Sequence, residues 1–169
     1  MRCVRIVVVM GTLLLWVAPS SATVTYEYKG NPFTTVMGPY TTSDFVSITF
    51  TTPDVLAPNL KLQNVAASVI HSTFSDGVRT FSDPVGTPGL PNPSVFVSTD
   101  SNGNIVGPWS VFSFPQAADG QQVSTTTNGL DVYDIGAIGL DVAGENSNSP
   151  GAWVTIVPEP STISLSARF

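Results

Sequence analysis

The sequence predicts an all-β fold: two antiparallel sheets packed as a β-sandwich of jelly-roll or immunoglobulin-like kind, with a closed β-barrel as the alternative. Three observations predict it. Short segments alternate apolar and polar residues with a period of two, as half-buried strands must. Gly and Pro, 14 of each in 169 residues, break the chain into short lengths. No window keeps an apolar period of 3.6 for ten residues without meeting Gly, Pro or a β-branched cluster, which argues against long helices. Charged residues are only 11%. Hydroxyls take their place, since 35 of the 147 residues after position 22 are Ser or Thr, a composition suited to exposed strand faces and turns.

The elements follow in order. Val24–Tyr28 is a candidate first strand. Phe45–Phe50 alternates, with Val46, Ile48 and Phe50 on one face and Ser47 and Thr49 on the other. Asn64–Phe74 and Arg79–Ser82 read as two strands joined by a hairpin turn at Ser75-Asp76-Gly77. The stretch Pro84–Pro93 holds four prolines and two glycines and is expected as an exposed connection. Val95–Thr99 and Ile105–Val106 flank Ser101-Asn102-Gly103-Asn104, a hairpin signal because Asn and Gly both tolerate positive φ. Trp109–Phe114 is apolar on both faces, as in a central strand covered on each side. A single helical turn is expected near Gln116–Gly120. Gln122–Thr127, Leu130–Tyr133, Ala137–Val142 and Ala152–Val157 complete the strands. In Ala137–Val142, Ile138, Leu140 and Val142 are expected inward and Asp141 outward.

The first 22 residues have the parts of a secretory leader. Arg2 and Arg5 precede a 12-residue apolar run, Ile6–Val17, and Ser20 and Ala22 place small residues where a signal peptidase requires them. Cleavage is expected between Ala22 and Thr23. A 12-residue run reaches about 18 Å as a helix, short of a bilayer core of about 30 Å. The one cysteine, Cys3, lies in the leader, so the remaining chain has no thiol for a disulfide, a nucleophile or a metal. Four cations (Lys29, Lys61, Arg79 and Arg168) then face twelve acids, a net charge of −8. So few scattered cations exclude a nucleic-acid partner and disfavour direct contact with an anionic membrane surface.

Motifs for chemistry are few. His71 is the single histidine, and beside Ser72 on a strand it reads as an ordinary half-exposed residue rather than a general base. No nucleophile elbow, zinc-protease helix or phosphate-binding loop is present. No catalytic residue and no resident cofactor are therefore expected. Calcium is a weak candidate: Asp100, Asn102 and Asn104 put oxygen ligands at alternate positions, although the glycine falls too early for a helical calcium loop, and the hairpin explains the same residues. Asp131, Asp134, Asp141, Glu145 and Asn146 could gather across adjacent strands, but solvated strand faces account for them as well. Tyr26 with Tyr28, or Tyr133 with Trp153, could form a stacking platform for polysaccharide if the rings were exposed.

The carboxyl end carries a family resemblance. Val157-Pro-Glu-Pro-Ser-Thr162, with its lead-in Asn148–Thr155, resembles the sorting region of the PEP-CTERM proteins, exported proteins of Gram-negative bacteria. Asn31–Val36, Pro39–Val46 and Phe74–Gly77 are similar to stretches in one subgroup's ectodomain. The resemblance implies recognition of Pro158, Glu159 and Pro160 by a membrane-bound exosortase, with Arg168 in the place of the basic tail. In that family a transmembrane helix follows the motif, whereas Ile163–Phe169 gives seven residues where about 20 are needed to span. As written, the chain is expected to be released rather than held in the membrane.

The reading is thus a leader over 1–22, a β-sandwich ectodomain over 23–157 and a sorting motif with a short tail over 158–169. The expected function is that of an exported, non-catalytic surface or extracellular-matrix protein working by structure and contact. A carbohydrate- or calcium-binding module is the alternative. Expected partners are the Sec export machinery, signal peptidase, exosortase and exopolysaccharide.

Overall fold

Residues that alternate inward and outward along a strand can bury only one face, so the strands must pair into sheets that close on each other. The computed structural model describes residues 23–84, 93–113, 122–127, 132–138 and 143–159. Among them the strands are β1 Val24–Lys29, β2 Thr35–Val36, β3 Ser47–Thr52, β4 Gln63–Asn64, β5 His71–Ser75, β6 Thr80–Pro84, β7 Ser94–Thr99, β8 Ile105–Ser113, β9 Gln122–Thr127, β10 Val132–Ala137, β11 Ala143–Ser147 and β12 Ala152–Ile156. One sheet has the order β12-β1-β3-β5-β6, and the other β2-β11-β10-β9-β8-β7-β4. Neighbours pair antiparallel throughout, and neither sheet closes into a barrel. The fold is a β-sandwich.

The five-stranded sheet obeys alternation. Val24, Tyr26 and Tyr28 of β1, Ile48 and Phe50 of β3, and Phe74 of β5 are buried, whereas Glu27, Lys29 and His71 lie outward. Each buried large side chain stabilises by about 1.5–3 kcal/mol, so this face supplies much of the driving force. Its rings interlock: Tyr26 stacks on Phe50 at 5.1 Å, and Trp153 meets Tyr28, Phe50 and Trp109 at 5.2, 5.6 and 6.4 Å. Val95, Val97, Trp109 and Val111 of β7 and β8 complete the core from the facing sheet.

Several elements differ from expectation. Asn64–Phe74 is not one strand: β4 ends at Asn64, Ala66–Ser68 forms a 3₁₀ turn, and β5 starts at His71. Asn64 causes the break, because its side-chain Oδ1 accepts the Ala66 N–H and turns the chain from one sheet to the other. Buried Val65 and Val69 seal that crossing. Strand β10 covers Val132–Ala137 and Ile138 is a bend; the rest of the strand expected over Ala137–Val142, residues 139–142, lies outside the described residues, as do the helical turn expected near 116–120 and most of Pro84–Pro93. Strands β2 and β11 were not expected, since Ala-Gly-Glu-Asn-Ser has no apolar alternation. The expected hairpins at 75–77 and 101–104 both form, joining β5 to β6 and β7 to β8. Pro108 sits in β8 where the β7–β8 register slips between Val97 and Ser98, the kind of irregularity to which a residue without an N–H is confined.

Candidate functional site

The calcium candidates come together in one turn. Asp100 Oδ1 accepts the backbone N–H groups of Asn102 and Asn104 at 2.7 and 2.9 Å, and its Oδ2 accepts the Asn104 side-chain amide at 3.0 Å. These bonds, led by the one from the Asn104 side chain, hold the Asp100 carboxyl below its usual range. Both oxygens therefore serve the hairpin. Gly103 alone takes positive φ, at +81°, so the turn needs left-handed backbone at Gly103 and not at Asn102. Among the described residues, no three His, Cys, Asp or Glu side chains are placed to hold a metal ion.

The second acidic group divides between two faces. Glu145 lies partly exposed and its carboxylate accepts from Ser147 Oγ. Asp134 and Asn146, paired across β10 and β11, point inward and are buried, which corrects the expectation of solvated strand faces. Asp131 and Asp141 lie outside the described residues.

Asp134 is the centre of a hydrogen-bond chain that joins the two sheets. Tyr28 of β1 donates its hydroxyl to Asp134 at 2.8 and 3.0 Å and accepts the Gly151 N–H at 2.7 Å. Thr125 of β9 also bonds the carboxylate, and its hydroxyl accepts the Trp109 indole N–H at 3.1 Å. Burial dominates the electrostatics and pushes the Asp134 carboxyl from 3.8 up to about 6, against the pull of the Thr125 and Tyr28 bonds. Tyr28 is raised as well, first by burial and then by the Asp134 charge. A Cβ on Gly30 would come within 2.5 Å of Asp134 Oδ2, so glycine lets the chain pass over the carboxylate. Asn146 donates to the Pro32 carbonyl at 2.7 Å, and its Oδ1 is buried without a partner.

A second buried acid, Asp76, holds the β5–β6 turn. Its Oδ1 accepts the N–H groups of Val78 and Arg79, and its Oδ2 accepts the Tyr40 hydroxyl at 2.6 Å. Asp76 packs onto Gly136, and Phe33 packs onto Gly144, the residue paired with Gly136; a Cβ at either position would lie 2.3 Å from its neighbour. Both interior acids are thus bonded into the scaffold.

The proposed stacking platforms do not form. Tyr26 and Tyr28 are 0% and 2% exposed, because their side of β1 faces the core. Tyr133 and Trp153 belong to different sheets, and Trp153 packs inward. His71 is exposed on the outer face of β5, opposite Thr51 and Pro84 in register. Pro158 and Glu159 are exposed just past β12, as is Thr23 before β1, whereas Ala22 and Pro160 lie outside the described residues.

What sequence reading missed is the outward face of the five-stranded sheet as a unit. Strand register aligns Lys29, Ser47, Ser75 and Thr80 in one row, Glu27, Thr49, Thr73 and Ser82 in the next, and Thr25, Thr51 and His71 in a third. At one corner a hollow of about 610 Å³ opens between Lys29, Asn31, Ser43, Phe45 and Val154. The Lys29 ammonium stands 5.3 Å above the Phe45 ring. The alternating hydroxyls were visible in each strand, but only the register places them side by side.

Compared with known family models, curated proteins and solved structures, the chain matches none. Among the described residues, no helix is long and apolar enough to cross a membrane.

Proposed function

We propose that this chain is an exported, non-catalytic protein of the cell surface or extracellular matrix, acting by contact through its β-sandwich. The observation that carries the reading is the outward face of the five-stranded sheet, on which eight Ser and Thr residues stand in register beside very few charges, the Thr51 hydroxyl itself being buried. The use of both interior acids as structural acceptors also favours contact over catalysis. Export rests on the leader pattern of residues 1–22, with the junction proposed between Ala22 and Thr23. The sorting reading rests on Pro158-Glu159-Pro160, and the exposure of Pro158 and Glu159 beyond the last strand leaves them open to an exosortase.

A carbohydrate-binding role is the second reading, and the Lys29–Phe45 hollow favours it. An ammonium, an aromatic ring and nearby hydroxyls are groups that hold an acidic sugar unit. A binding screen of the intact chain against the producing cell's own exopolysaccharide, with calcium and with chelator, tests both. Saturable binding weakened by Lys29→Ala is expected, and it should not depend on calcium, because the Asp100 oxygens already hold N–H groups. Calcium-dependent binding would move the reading to the Asp100 turn. An absence of binding would remove the carbohydrate reading.

A further inference from the structure

Among the described residues, four strands end the two sheets, and three of them are blunted. Strands β2 and β4, at the two edges of the seven-stranded sheet, have two residues each. Strand β6 ends the other sheet with outward Thr80 and Ser82 and carries Asp83 and Pro84. Short length, charge and proline are the usual devices that stop an edge from accepting a further strand. Strand β12 has none of them. Among the described residues it pairs with β1 on one side alone, and Ala152-Trp-Val-Thr-Ile-Val157 contains no charge, no proline and no glycine. Its outward side is apolar: Val154 and Ile156 are 57% and 42% exposed.

We propose that β12 pairs antiparallel with β12 of a second copy of this chain, joining two five-stranded sheets into one of ten strands. The occupant follows from the strand itself. Antiparallel pairing about a two-fold axis at Val154 sets Val154 against its own copy, Ala152 against Ile156 and Trp153 against Thr155, so all five residues of the strand pair and the outward apolar side chains cover one another. The charge pattern points to the same partner. In an acidic chain of net charge −6, residues 152–157 are an uncharged stretch where two copies meet without opposing like charges. Glu27, which aligns with Val154, stays three strand spacings from its counterpart, about 14 Å and beyond the screening length at physiological salt. The pairing uses the edge of β12 that faces away from β1, and the β1–β12 register runs without a bulge.

Sedimentation of the intact chain over a range of concentrations tests the association. A monomer–dimer equilibrium is expected, weakened at least tenfold by Val154→Lys and unchanged by Thr49→Lys, two strands further in on the same face. Both positions point outward, so each variant should fold. Register is tested by cysteine in a Cys3→Ser background. Facing positions on one side of an antiparallel pair lie about 5 Å apart at Cβ, so Val154→Cys should cross-link to itself under mild oxidation and Ala152→Cys should not. A chain that stays monomeric at millimolar concentration overturns the proposal, and so does a dimer indifferent to Val154→Lys. Self-cross-linking of Ala152→Cys in place of Val154→Cys overturns the register.

Discussion

Two regions of the interior are built from different chemistry. On β1, β3 and β5 the interior is apolar and aromatic, with Tyr26, Ile48, Phe50 and Phe74 all at 1% exposure or less. Around β10 and β11 it is largely polar and small: Thr125, Asp134 and Asn146 in one row, and Gly136 and Gly144 in the next, beside the buried Val123 of β9. The first face is held by area removed from water, which is non-directional and tolerant of shape. The second is held by directional hydrogen bonds, and a buried polar group left without a partner, as Asn146 Oδ1 is, costs about 1–3 kcal/mol. One sandwich therefore contains a robust half and a half that depends on specific partners.

Removing Phe50 should show the first half at its strongest. Phe50→Ala deletes a ring stacked on Tyr26 and touching Trp153, and a loss of about 3–5 kcal/mol is expected in denaturant unfolding. A loss under 1 kcal/mol would mean that the aromatic face does not dominate.

The polar half should reveal itself through pH. Folded, Asp134 keeps its proton to about pH 6, while the unfolded chain loses it near 3.8. The folded state thus binds more protons between those values. This group's contribution is fully present below about pH 4 and is lost as the pH rises through 6, a change of up to about 3 kcal/mol. Asp134→Asn keeps an acceptor for Tyr28 but cannot titrate. Its unfolding free energy measured from pH 4 to 6.5 should therefore be flatter than the parent's by that amount. Equal slopes in the two proteins would place the proton elsewhere.

The bridge between the halves is smaller still. Tyr28→Phe keeps the ring against Trp109 and Trp153 but leaves the Gly151 N–H without its acceptor and Asp134 with one donor fewer. A cost of about 1–3 kcal/mol is expected, and it should shrink when the same change is made in Asp134→Asn. Additive losses in that double-mutant cycle would show that the two groups are not coupled.

The contrast also explains what could be read from the sequence. Phe45–Phe50 and Val95–Thr99 were legible because alternation assumes an apolar interior, and theirs is apolar. Ala143–Ser147 was not, since its inward residues are Gly144 and Asn146, which carry no apolar period. Asp134 was seen as one of several acids. Its burial depends on Tyr28, 106 positions away, and on Gly30 passing over it, and no local pattern encodes either. Tyr26 and Tyr28 had the spacing of a platform, but i, i+2 residues share whichever face the strand turns inward. The hairpin at Asp100–Asn104 was readable because its chemistry is local.

That hairpin offers the finest test, as it separates a turn's backbone need from its side-chain chemistry. Gly103 has φ of +81°, and a Cβ there would lie 2.4 Å from the Leu56 carbonyl oxygen. Its own carbonyl accepts the Tyr26 hydroxyl at 3.2 Å, and that hydroxyl in turn accepts the Leu56 N–H, so the turn is tied to the aromatic face. Asn102 is exposed with ordinary φ, and the turn uses its backbone N–H rather than its side chain. Gly103→Ala should therefore cost on the order of 1–2 kcal/mol, and Asn102→Ala should stay within about 0.5 kcal/mol. Thermal melts of the two variants beside the parent would decide. If Asn102→Ala lowers the melting temperature as far as Gly103→Ala does, the turn needs left-handed backbone at both positions. In that case Asn-Gly acts as a pair, as the sequence first suggests, and not through the glycine alone.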